Sequence, residues 1–93
     1  MDGKIVKYIR KALNLSQTEL GELIGVSYLT VWRYEHDRQA AQPRTLRRMQ
    51  KVLGYTEEDL VSIAELLDDE DNRRSHARLK TKLQQQLQQQ VNV

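Results

Sequence analysis

The sequence predicts an all-α fold: five helices around one core, followed by a Gln-rich C-terminal helix or tail. Three observations predict it. Apolar residues recur at helical spacing from Ile5 to Leu67. Two reciprocal start signals, Ser16 with Glu19 and Thr56 with Asp59, mark where helices open. Gly25 and Gly54 stand where helices should stop.

Asp2 can cap a first helix over about residues 3–13, with Ile5, Ile9, Ala12 and Leu13 on its inner side. Asn14 and Leu15 break it. Ser16 and Glu19 then open a second helix whose apolar stripe is Leu20, Leu23 and Ile24. Gly21 leaves room for a crossing helix. Gly25 ends the segment by taking the left-handed conformation that a residue with a Cβ resists. Val26 plugs the turn, and Ser27 caps a third helix running to about His36. In that helix Val31 and Tyr34 point inward, while Leu29, Trp32 and Arg33 lie outside with Tyr28 at the edge.

A polar loop over residues 37–42 follows. Pro43 suits the first turn of a fourth helix, because its missing N–H would have no partner there. Leu46, Met49, Val52 and Leu53 form the inner face of that helix, and Gly54 stops it. Glu57, Glu58 and Asp59 suit the positive end of a fifth helix, made amphipathic by Leu60, Ile63, Ala64 and Leu67. The chain is expected to divide into a domain over residues 1–68 and an appendage over 69–93, with a charged hinge at 69–75. Beyond the hinge Leu79, Leu83, Leu87 and Val91 recur every four residues. That stripe reads either as a self-association helix or as a frayed tail.

Ninety-three residues allow one small domain plus an appendage, too little for a multi-layer enzyme core. There is no Cys, which removes disulfides, thiolate metal sites and cysteine nucleophiles. His36 and His76 lie too far apart for a zinc motif. No triad, metal cluster, phosphate-cradling glycine loop or catalytic carboxylate pair is visible, so neither catalysis nor a cofactor is expected. No apolar run is long enough to span a membrane, and no signal peptide is evident; a reducing cytoplasm fits. The charge is unevenly spread. Residues 1–56 hold ten Lys/Arg against five Asp/Glu, residues 57–71 hold eight acids and no base, and residues 72–93 hold five bases and no acid. A basic first part suits contact with phosphate, and the acidic block should face away from it.

Residues 17–35 read QTELGELIGVSYLTVWRYE, two short helices across a tight turn. A short, rigidly propped helix with an uncommitted outer face suits the DNA major groove. Leu20, Gly21, Ile24, Gly25, Val26, Val31 and Tyr34 sit at offsets that resemble the helix-turn-helix of the phage repressor and Cro family, also called the XRE family. The flanks Leu15, Ser16 and Gln17 are similar too, as are Thr30, Arg33 and Glu35. The likeness covers about residues 4–56; the loop at 37–42 departs from it, being slightly long and lacking the usual glycine. The resemblance implies a repressor-like, sequence-specific regulator of transcription that binds double-stranded DNA, a palindromic operator, as a homodimer. The alternative is an antitoxin or partner-controlled regulator whose residues 57–93 bind a second protein. The resemblance also pairs Arg10 with Glu35 as a structural ion pair.

On this reading the candidate base contacts are Tyr28, Leu29, Trp32 and Arg33. The Arg33 guanidinium can donate two hydrogen bonds to guanine. Tyr28 and Leu29 can lie against thymine methyl groups; otherwise they form a small apolar patch for protein contact. Trp32 either lies along the sugar-phosphate wall or folds onto a neighbour. The candidate phosphate contacts are Gln17, Ser27, Thr30, Arg38 and Arg44. Arg47, Arg48 and Lys51 read either as further phosphate contacts or as the solvated face of the fourth helix, the latter favoured for Lys51.

Overall fold

The computed structural model describes residues 1–68 and 73–91, and every described element is a helix. In chain order they are α1 (Gly3–Ala12), α2 (Gln17–Ile24), α3 (Tyr28–Glu35), α4 (Pro43–Leu53), α5 (Glu57–Asp68) and α6 (Arg73–Val91). The local start and stop signals act as their chemistry dictates. Asp2 accepts a hydrogen bond from the Lys4 N–H at 3.0 Å. Ser16 Oγ accepts from the Glu19 N–H, and Glu19 Oε1 accepts from the Ser16 N–H at 2.9 Å. These bonds hold the Glu19 carboxyl below its ordinary range. Thr56 and Asp59 make the same exchange, at 2.8 and 3.1 Å. Gly25 and Gly54 end α2 and α4 with φ of 78° and 80°.

Two glycines set how closely helices approach. A Cβ on Gly21 would run into the carbonyl oxygen of Val26, so only glycine lets α2 meet the turn that follows it. A Cβ on Gly3 would lie 2.5 Å from the carbonyl oxygens of both Tyr34 and Glu35, so the start of α1 rests directly on the end of α3. The Gly3 N–H also donates to Asp37 Oδ1 at 2.9 Å. Asp37 itself has φ 53°. It supplies the left-handed residue that the loop after α3 needs in place of glycine, which aspartate tolerates better than most side chains.

The core is built from Val6, Ile9, Leu20, Ile24, Val31, Met49, Leu53 and Ile63, with Tyr55 and Leu66 beside them. Three expected stripes shift. Val6 takes the buried place in α1 while Ile5 is half-buried; Leu23 of α2 is exposed; and Ala64 of α5 is exposed. In α5 the buried line is Asp59, Ile63 and Leu66, one residue in four then three. The reason is α6, which touches Asp59 directly and makes that side of α5 an inner side.

The expected hinge at 69–75 lies largely outside the described residues. Beyond it, Leu79 and Leu83 are buried in the chain's own core, and Leu87 is half-buried against it. The glutamines between them have specific partners. Gln84 donates to the carbonyl of Ala12 at 2.8 Å, and Gln86 donates to the carbonyl of Gly54 at 3.1 Å. Both carbonyls belong to the ends of helices, where no partner within the helix remains. Gln86 also donates to Asp59 Oδ2 at 2.9 Å, and Lys82 Nζ sits 2.8 Å from Oδ1. Burial alone would raise the Asp59 carboxyl, yet hydrogen bonds from Lys82, Gln86 and Thr56 hold it at about 2.

Candidate nucleic-acid interface

The third helix is fixed at both ends before any ligand arrives. At its start, Ser27 Oγ accepts from the Thr30 N–H at 3.2 Å and lies 3.1 Å from Thr30 Oγ1. One of those hydroxyls donates to the other, which leaves a single O–H for an outside acceptor. At its end, Arg10 Nε and Nη2 donate to the two oxygens of Glu35 at 2.6 and 3.0 Å, and Arg10 Nη1 donates to the carbonyl of Leu15 at 3.0 Å. This is the two-point geometry that makes arginine–carboxylate pairs specific. It joins α1 to α3, as the resemblance implied. Val31 and Tyr34 fasten the middle, with Val31 wholly enclosed.

The opposite face is open. Tyr28 is 60% exposed, Leu29 42% and Trp32 37%, and Arg33 is exposed beside them. Their spacing of one, four and five residues keeps them on one side of the helix. The Trp32 indole is stacked on the His36 ring, with centroids 4.1 Å apart and planes 19° from parallel. His36 Nδ1 lies 2.9 Å from the Trp32 carbonyl oxygen. A carbonyl only accepts, so Nδ1 carries the proton and the imidazole is held in place as a shelf for the indole. The ring rests on a neighbour while part of it stays in solvent, which leaves that part open to a groove wall.

The remaining candidates surround this face unequally. Gln17 is half-buried, and its amide donates to Glu35 Oε1 at 3.4 Å, so the side chain leans on the Arg10–Glu35 pair. Arg38 is exposed just past α3, its N–H bonded to the carbonyl of Arg33 at 2.8 Å. Arg44 is exposed at the start of α4 and lines an open groove with Gly25 and Val26 of the turn. Arg47 and Arg48 line the same groove. Lys51 lines it too, and all three are exposed, as a solvated face of α4 requires; that the face borders a groove follows only from α4 approaching a distant turn, which leaves no local signal. The shelf under Trp32 was signalled, by the four-residue interval between Trp32 and His36, and was missed.

Among the described residues no group of three or more His, Cys, Asp or Glu is placed to hold a metal ion, and no helix is long and apolar enough to cross a membrane. No curated protein and no solved structure matches the chain. A family model described as helix-turn-helix matches residues 6–68, which run from within α1 to the end of α5. That span contains both helices of the motif, the glycine turn between them and the helices that brace them. The chain therefore belongs to the repressor/Cro-type (XRE) helix-turn-helix family and is a DNA-binding regulator of transcription.

Proposed function

We propose that the protein is a repressor that binds a two-fold-symmetric operator as a homodimer and works in the cytoplasm by occupying a promoter. The observation that carries this reading is the shared open face of Tyr28, Leu29, Trp32 and Arg33 on a helix pinned at both ends. Each subunit lays α3 in the major groove, where Arg33 meets guanine and Tyr28 and Leu29 meet thymine methyl groups. Trp32, steadied by His36, lies along the groove wall. Gln17, Ser27, Thr30, Arg38 and Arg44 contact phosphates and set the register. On α5, exposed Val61 and Ala64 stand three residues apart, a small apolar patch suited to a second copy. The role is binding, without catalysis.

Selection of duplexes from a random pool by the full-length chain tests this. Winners should be palindromic, with half-sites about one helical turn, ~34 Å, apart. Lone half-sites would end the homodimer reading, and no enrichment would end sequence-specific reading. The rival, in which residues 57–93 hold a second protein as an antitoxin does, has less support. Leu79 and Leu83 are already spent on the subunit's own core.

A further inference from the structure

Away from the reading face, α1, α5 and α6 meet around a cleft of about 460 Å³. That volume falls within the roughly 300–1,000 Å³ of small-molecule sites. Tyr8 and Ala12 of α1, Leu67 of α5 and Ala77 of α6 give it apolar walls. Lys4, Lys7 and Lys11 stand along one rim on successive turns of α1, and Lys80 of α6 stands on the other. All four lysines are exposed, and none forms an ion pair with a described residue. No described carboxylate lines the cleft. His76 Nδ1 lies 3.2 Å from the Tyr8 hydroxyl, which gives one wall a polar end.

The two halves of this chemistry restrict the occupant. Like charges gathered in one place repel, and an anion relieves them. A DNA phosphate would satisfy the lysines but has no use for apolar walls. A neutral apolar molecule would use the walls and leave the ammonium groups with no anion among the described residues. A pocket of this size takes a small molecule more readily than a helix of a second protein. We infer that the cleft binds a small organic anion with an apolar body, its carboxylate held by the lysines and its alkyl or aryl part laid between Tyr8, Leu67 and Ala77. Lysine suits this head group, since a mobile point charge asks for no fixed geometry. Such a ligand would rest on α1, the same helix that holds α3 through Arg10 and Gly3.

The test titrates the full chain with decanoate, below its micelle concentration and with no DNA present, by calorimetry. Saturable one-to-one uptake is expected, with far weaker uptake of decanol and of decyltrimethylammonium. Replacing both Lys7→Gln and Lys11→Gln should weaken decanoate by about tenfold without lowering the Tm. Ala77→Trp fills the cleft from an exposed position and should abolish uptake. The proposal is overturned by no uptake, by equal uptake of all three amphiphiles, or by uptake indifferent to both variants. It is equally overturned if the lysine changes alter sedimentation and leave decanoate untouched, the mark of a second copy in the cleft. Because DNA is absent, either result stands apart from the operator reading.

Discussion

Arg33 and Glu35 are two positions apart on one helix and do opposite work. The Arg33 side chain is exposed and makes no hydrogen bond or ion pair with a described residue, so Arg33→Ala should leave the Tm unchanged. It should remove about 1–3 kcal/mol of discrimination at one base pair, seen as a relaxed consensus in duplex selection. An unchanged consensus would remove Arg33 from the base-reading set. Glu35 is buried and answers Arg10, whose side chain is only 12% exposed. Glu35→Ala strands that cation, and chemical denaturation should show a loss of about 3 kcal/mol or more. A loss below about 1 kcal/mol would mean that solvent reaches Arg10 freely. The exposed place of Arg33 was legible from helical spacing around Val31, and the Arg10–Glu35 pair from the family resemblance. Asp37 was not legible. The sequence showed a loop without its glycine, but only folding brings Gly3 near enough to make the aspartate a hydrogen-bond partner as well as a left-handed turn residue.

Among the elements, α1 to α5 announce themselves through contacts within a few residues: capping boxes, Pro43 and the two left-handed glycines. α6 does not. Its glutamines look like solvated filler until Ala12, Gly54 and Asp59 are placed beside them, 27 to 72 residues away in the chain. Asp59 was read as the acid of a capping box, which it is, and it is also the anchor for Lys82 and Gln86. That second role has a pH signature. The carboxyl sits at about 2 in the folded chain, against about 3.9 when unfolded. Because the folded value is the lower, its stabilisation is present above pH 4 and is lost as pH falls toward 2. Asp59→Asn should therefore lower the Tm near neutral pH and narrow its gap to the parent protein through that acid window. A constant gap between pH 5 and 2 would show that the carboxylate charge does not hold α6. The helix also changes what removal of residues 73–91 should do: the remaining core would lose Leu79 and Leu83, so thermal stability falls whatever the oligomeric state.

At the scale of the whole molecule, a Cα radius of gyration of 12.6 Å matches a single compact body of about this length, with α6 folded back and not projecting. Charge is sorted across that body. Arg44, Arg47 and Arg48 gather beside the helix-turn-helix turn, in a groove that no acid of α5 lines. Arg44→Ala should weaken binding to every duplex alike and reduce the slope of log K against log salt by about 1. A slope that does not move would place Arg44 outside the phosphate footprint. The stacked indole on α3 has a practical corollary. The sequence contains one Trp, and it stands on the face proposed to meet the duplex, stacked on an imidazole and 37% exposed. Emission excited at the red edge of the indole band, beyond the absorption of the four tyrosines, thus originates at a single known spot. Its intensity and colour should change when that spot is dehydrated, giving an intrinsic optical reporter of docking.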